Sequence, residues 1–453
     1  MSGSFTSWMR QAQSLSGVAG HFVRARWRAE HLHGEALARF QNERFRATVN
    51  YALEHSAFYR NYWAGHDPSR PFALPTVGKS EMMAHFQTFN SLGISRERAL
   101  EAAQLAETGA AKLDGLTVGL SSGTSGSRGL FLLSPSEQAA WTGTVLARVM
   151  HRLQRERVAL FLRAGSDLYQ GIGRGRSIEF RYFPLERDLE PHLLALNAFE
   201  PTLLIGPPSL LERLATAQQQ GRLHVKPRRL IAVAEVMDPP DQRKLENVFQ
   251  VPIHQIYQAT EGFLAAPCAY GQLHLQEDIV AIQMGAIQMG TVQAESIETH
   301  VSKIYFTPVV TDLWRRVQPI VRYRLGDLLT LETEKCACGS SWRRVQVLGR
   351  TADLFTLEDA SRGARTLYPD ELGRIVLESS PQIGDYRAFQ ERPGHLRLHL
   401  EHRVEQGRGE HAALEESIRD ALERLGFRGV QLEVCEGLPD APPNVKRRRM
   451  VRL

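Results

Sequence analysis

The chain has 453 residues, of which 43% are hydrophobic and 23% charged, with a formal net charge of +5. That length exceeds one simple core, so two or three folded units are expected, and the composition excludes a fibrous or largely disordered chain. No run approaches the roughly 18 apolar residues of a membrane span, the first segment lacks the apolar core of a signal peptide, and four cysteines, two of them one residue apart, suit a metal site better than a disulfide framework. A cytoplasmic protein with no membrane association is expected.

From residue 30 to 63, Leu37, Phe40, Phe45, Val49 and Leu53 recur at near-helical spacing, which predicts a helix with one buried face. Pro71, Pro75 and Gly78 punctuate a loop before a second helical stretch carrying Met82, Met83 and Phe86. The apolar run 116–120 then leads into Ser121-Ser122-Gly123-Thr124-Ser125-Gly126-Ser127-Arg128-Gly129, ahead of a helix beginning near Ser136. The glycines let backbone amides curl toward an anion, the hydroxyls add donors and the arginine adds charge, which are the parts of a phosphate cradle. A flexible surface linker is the competing reading. The glycine-lysine-serine/threonine ending of the nucleoside-triphosphate P-loop is missing.

Residues 158–162, 203–205 and 230–234 read as buried strands, with helices at 136–153, 209–220 and 239–248 between and around them, so a largely parallel sheet of β-α-β units is expected. Its ligand site belongs at the carboxyl ends of the strands. From 270 to 350 the pattern is irregular and richer in β-branched residues; a tandem Ala-Ile-Gln-Met-Gly at 281–290 is too short for a repeat architecture and reads as strand and turn. Beyond Gly349 the chain reads as an α+β module, with helices at 369–377 and 411–425 and strands at 396–400 and 430–434.

Arg322-Tyr323-Arg324-Leu325-Gly326-Asp327 is compatible with a salt-bridged strand and turn, yet a carboxylate such as Asp327 also accepts two hydroxyls at once. Cys336-x-Cys338 cannot complete a tetrahedral zinc site alone, and Cys268 with His274 offers a second pair; unrelated reduced thiols are the alternative. The dense basic run Lys446, Arg447, Arg448 and Arg449 near the end reads first as a solvated tail, and no nucleic-acid fold signature accompanies it.

In this order the segments resemble the adenylate-forming superfamily that includes acyl-CoA ligases, in its phenylacetate-CoA ligase and coenzyme F390 synthetase branch. The resemblance implies an α/β fold: a large adenylation domain at 1–349, with mainly parallel sheets, flanking helices and a β-rich part, and a small mobile α+β lid at 350–453. It implies that Ser121, Ser122, Gly123, Thr124, Ser125, Gly126 and Arg128 cradle phosphates, although Ser127-Arg128 replaces the usual glycine-lysine. Ala234-Glu235 resembles the adenine-contacting segment. Tyr257-Gln258-Ala259-Thr260-Glu261 is similar to the tyrosine-glycine-x-threonine/serine-glutamate motif, whose tyrosine stacks on the base and whose glutamate holds magnesium. Asp327 takes the ribose hydroxyls, Gly349-Arg350-Thr351-Ala352-Asp353 resembles the hinge, and Lys446 is the cation that reaches the α-phosphate, with Val445 in place of the usual glycine.

The activity implied is ATP-dependent activation of a carboxylic acid, aromatic by resemblance, followed by transfer to coenzyme A or to the phosphopantetheine arm of an acyl carrier protein. ATP and magnesium serve the reaction, and Cys268, His274, Cys336 and Cys338 hold a structural zinc. Nucleic acid and membrane are not expected partners; a homodimer is allowed. Adenylyl transfer without a thioester, as in F390 synthetases, and a non-catalytic nucleic-acid-binding protein are the alternatives.

Overall fold

Apolar runs alternating with amphipathic stretches build a five-stranded parallel sheet, in the order Ile178–Pro184, Glu156–Leu162, Leu203–Gly206, Arg229–Ala232, Ile253–Gln255. The computed structural model describes residues 2–107, 113–121, 128–150, 154–162, 178–185, 188–289, 292–293, 299–300, 303–359, 363–402, 408–439 and 448–453. Helices Glu190–Phe199, Pro208–Gln219 and Pro239–Phe249 each begin with proline in the first turn, where its missing N–H costs nothing. Their apolar stripes (Leu193, Leu214, Leu245) share one core with Phe161, Leu204 and Leu230 of the sheet. Period-2 alternation sends Val158, Leu203 and Ile231 to the opposite face, toward helix Pro135–Val149. The strand expected to run to Ala234 stops at Ala232, because Ala234 adopts a left-handed φ of 67°.

One local expectation is corrected. The strand Thr117–Leu120 is not followed directly by a helix: it pairs antiparallel with Leu130–Leu133, so the glycine-rich loop joins two strands and the helix starts only after a serine cap at Ser134. The sequence concealed this because Leu130–Leu133 is a four-residue apolar run abutting the helix.

The irregular stretch becomes a nine-stranded sheet whose main path is Val280–Gly285, Lys303–Asp312, Asp327–Glu332, Arg344–Arg350, Leu273–Leu275, Gly262–Pro267, Tyr257–Ala259. Its register shifts between Leu328 and Leu329, opposite Gly349, which takes φ 140°, a conformation side chains resist. The tandem pentapeptide does supply strand and turn: Val280–Gly285, then Gln288–Met289. Residues beyond Gly349 form a four-stranded sheet in the order Gln431–Glu436, His395–His402, Ile383–Gln390, Met450–Arg452, flanked by helices Pro369–Ser379 and Arg408–Arg424, with a core cluster drawn entirely from residues 355–450.

At the other end, helix Ser2–His31 comes first in the chain, and the single helix expected at 30–63 is two, Gly34–His55 and Ala57–Tyr62. Helix Ser2–His31 crosses Pro135–Val149 at Gly143, where an added Cβ would lie 2.5 Å from the Val18 carbonyl oxygen and 2.7 Å from His21 Cβ. Arg28 Nε and Arg148 Nη2 donate at 2.8 and 2.9 Å to Asp278 Oδ2, so a fully buried carboxylate is held by two guanidiniums. Trp342 Nε1 donates at 2.8 Å to the Leu32 carbonyl, anchoring the end of that helix. Among the described residues, no helix is long and apolar enough to cross a membrane.

Candidate active site

A cavity of about 900 Å³ opens where the parallel sheet, the antiparallel sheet, the Thr117–Leu133 hairpin and the C-terminal strand meet. Ser121, Ala234, Glu235, Tyr257, Thr260 and Glu261 all reach its wall, as do Asp327 and Arg350. Asp327 is buried; Tyr257 donates its hydroxyl at 2.6 Å to Oδ2 and Arg350 Nε donates at 2.9 Å to Oδ1. Burial, reinforced by the Asp327 charge, pushes the Tyr257 phenol well up, so it stays a donor. Thr260 Oγ1 donates at 2.9 Å to the buried carboxylate of Glu261. Glu235 accepts from the Ser209 amide at 3.1 Å, at the start of helix Pro208–Gln219.

The glycine-rich loop is closed at its base. Ser121 N donates at 2.7 Å to the Gly129 carbonyl, and Gly129 N donates at 2.6 Å to Ser121 Oγ. Ser122, Gly123, Thr124, Ser125 and Gly126 lie outside the described residues, as does Lys446. Arg128 is exposed, donates at 3.0 Å to the Ser121 carbonyl, and is not on the cavity wall.

Sequence reasoning passed over Lys79. It opens helix Lys79–Ala84 and lines the cavity, and a Cβ on Gly129 would come within 3.4 Å of Lys79 Cε. Burial lowers its ammonium pKa, Glu261 opposes that, and Arg350 adds to it. The signal was a basic residue directly after a helix-capping glycine, but more than forty positions separate it from the loop it joins.

The comparisons bear on this arrangement. No family model matches the chain. It is 23% identical to the phenylacetate-coenzyme A ligase of Thermus thermophilus over 391 residues, 81% of each chain. Among solved structures it is similar to 2-hydroxyisobutyryl-CoA ligase in the postadenylation state with a bound acyl-AMP, at TM-score 0.68 and 18% identity, covering 94% of this chain and 91% of that one. The same enzyme in its thioesterification state, with 2-HIB-AMP and CoA, gives 0.54 at 19% identity, covering 92% and 90%. The chain has the adenylate-forming fold.

In this adenylate-forming fold the C-terminal strand enters the cavity beside two ionic contacts that sequence reasoning also missed. Arg448 Nη1 donates at 2.7 Å to Asp353, a buried carboxyl that burial pushes up against the opposing Arg448 and Arg350 charges. Arg449 is itself buried, and its guanidinium meets Asp385 of the C-terminal sheet at 2.8 Å, Asp241 at 2.7 Å, and Asp238. Asp238 and Asp241 sit at the start of helix Pro239–Phe249, so one arginine ties residues beyond 350 to the parallel-sheet region. Burial acts to lower the Arg449 pKa, but the Asp238 and Asp241 carboxylates raise it further, keeping the guanidinium charged.

Away from the cavity, the donor atoms of Cys268, His274, Cys336 and Cys338 all lie within 4.8 Å of one another. Cys268 and Cys336 Sγ are 3.8 Å apart, and Cys338 Sγ is 3.5 Å from His274 Nε2. A tetrahedron with Zn–S near 2.3 Å and Zn–N near 2.0–2.1 Å has edges of about 3.8 and 3.6 Å, so the set fits. His274 Nδ1 is 2.8 Å from the Trp342 carbonyl, which turns Nε2 toward the thiols. Burial pushes the Cys268 thiol up to about 11. It opposes ionisation at Cys336 too, but hydrogen bonds from the Cys338 backbone, His274 and the neighbouring thiols bring that group down to about 6.

Proposed function

We propose that the protein activates a carboxylic acid with ATP. The acid's oxygen attacks the α-phosphate, pyrophosphate leaves, and the resulting acyl adenylate passes its acyl group to a thiol, releasing AMP. The observation that carries this reading is the convergence, on one cavity, of a buried Asp327 fixed by Tyr257 and Arg350, the glycine-rich loop base, and the buried Glu261 facing Lys79. Asp327 has the charge and fixed orientation to accept ribose hydroxyls, Tyr257 and the 234–235 segment flank the base, and Lys79 supplies charge beside the loop. Glu261 fits as a magnesium ligand, since that ion is commonly held by one carboxylate plus the substrate phosphates, whose developing charge it neutralises.

Residues 350–453 form the small lid in this reading and 1–349 the large adenylation domain, with Gly349 to Asp353 as the hinge. Lys446 approaches the α-phosphate from the lid during adenylation and withdraws for thiol attack. The thiol is coenzyme A or a carrier-protein phosphopantetheine. Cys268, His274, Cys336 and Cys338 hold a zinc that is structural, because four protein ligands leave no open position.

Acid-dependent pyrophosphate exchange, run over a panel of acids with and without a thiol, tests the proposal. Exchange that needs acid alone, followed by AMP release that needs thiol, is expected. Absence of exchange with every acid would overturn it, and AMP retained covalently on the product would replace it with adenylyl transfer.

A further inference from the structure

One end of this cavity is lined by apolar side chains of the parallel sheet and of helix Pro135–Val149. Register places Val158 beside Phe180 and Leu203, and Leu160 beside Ile205. Alternation turns these residues and Leu162 to the cavity, while Ala159, Phe161 and Leu204 pack into the core behind. Trp141, Val145 and Val149, one helical face of Pro135–Val149, form the opposite wall.

This trough begins at the carboxyl ends of the strands, beside Val233 and Ala234, which border the adenylate site. Its far end is marked by the buried Glu156, paired with Arg228 and Arg229, and Arg229 Nη1 also donates at 2.8 Å to the Val149 carbonyl. From Leu162 to Val158 the aliphatic floor runs about 13 Å at ~3.3 Å per residue. An extended chain advancing about 1.2 Å per bond spans that length with roughly ten carbons.

We infer that the acid has an elongated hydrocarbon body, a medium-chain alkyl or aryl-alkyl acid of about ten carbons whose carboxylate meets the nucleotide while its chain lies along Leu162, Leu160 and Val158. The inference rests on the adenylation reading above. Every named position of the floor is apolar, so each added methylene leaves water without a polar group being stranded. His21, Arg24 and Arg28 also border the cavity from the N-terminal helix, and Arg28 is committed to Asp278.

The test uses the full chain and a series of straight-chain acids from acetate to palmitate, with benzoate, phenylacetate and the matching dicarboxylates. Apparent kcat/KM in pyrophosphate exchange should rise about fourfold per methylene to about ten carbons and then fall. Ile205→Phe, which narrows the middle of the trough, should move the optimum to shorter acids; Phe180→Ala, which opens its far end, should move it to longer ones. A flat profile, an optimum at acetate, or a preference for dicarboxylates drawn by His21 and Arg24 would overturn the inference. Decanoate binding, followed by calorimetry in wild type and Ile205→Phe, separates the two readings: binding that the variant weakens, without any exchange, supports the apolar acid and sinks adenylation. No binding at all overturns the inference itself.

Discussion

Replacing Asp327 with alanine acts on two things that can be measured apart. The nucleotide loses a charged acceptor for its ribose hydroxyls, and charge-assisted hydrogen bonds contribute about 1.5 to 3 kcal/mol, so affinity should fall roughly 13- to 160-fold. The folded protein loses the acceptor of the Tyr257 hydroxyl, which is buried and 2.6 Å from Asp327 Oδ2, stranding a donor at a cost of about 1 to 3 kcal/mol. Arg350, whose side chain is 44% exposed, regains water and adds little. Asp327→Asn keeps an acceptor for Tyr257 while removing the charge, so it should keep most of the stability and still lose nucleotide affinity. Calorimetry with AMP and urea denaturation of both variants decide the matter. Unchanged AMP affinity in Asp327→Ala would refute the ribose assignment, and equal destabilisation of the two variants would refute the role given to Tyr257.

Lys446→Ala should lose most acid-dependent pyrophosphate exchange yet still convert a chemically supplied acyl adenylate to thioester; retained exchange would move the role to another residue, Arg447 first. Lys79→Met should raise the KM for ATP about tenfold, within the range of one charge-assisted bond, while the KM for the acid stays put, and a shift in both would assign Lys79 to folding instead. Protein purified without chelator should carry about one zinc per chain, by metal analysis, and lose it in Cys338→Ser, with chelation lowering Tm more than it slows the chemical step. Arg449→Met leaves Asp238, Asp241 and Asp385 without their shared cation and should destabilise by roughly 3 to 5 kcal/mol in urea; a loss below about 1 kcal/mol would mean the cluster relaxes into solvent.

Three of the five parallel strands were legible because residues 158–162, 203–205 and 230–232 are continuous apolar runs, whereas Ile178–Pro184 alternates exposed with less exposed residues and Ile253–Gln255 has one apolar residue; three helices began within a residue of where the sequence put them. Asp327, Tyr257 and Glu261 were legible as motifs, although the hydrogen bond joining Tyr257 to Asp327 crosses 70 positions and has no local signature. The hairpin strand Leu130–Leu133 depends on pairing with Thr117–Leu120, which a short apolar run does not encode, whereas the breaks between the N-terminal helices are local: Gly34 takes φ 50° and Ser56 caps the next helix by accepting from the Tyr59 amide. The pairing of Cys268 and His274 with Cys336 and Cys338 could be guessed from scarcity, since the protein has only four cysteines. The Arg449 cluster could not: its three carboxylates come from two segments far from it in sequence, and a basic tail reads as solvated until the fold supplies a place to bury it.

The bond from Trp342 to the Leu32 carbonyl spans 310 residues, and the same tryptophan packs against Leu32 and Leu37 while its carbonyl meets His274. During synthesis the N-terminal helix leaves the ribosome long before the residue that anchors it. At about 5 to 20 residues per second it waits roughly 15 to 60 s for that partner, with the helix face that Pro135–Val149 will cover available much sooner. Docking against Gly143 is therefore the earlier event, and the Trp342 contact ties down the end of the first helix only after Cys336 and Cys338 have been made. Maturation of residues 1–349 is thus expected to finish beside Cys336 and Cys338, and on the proposed zinc reading a nascent chain starved of that metal is left with its first helix half fastened.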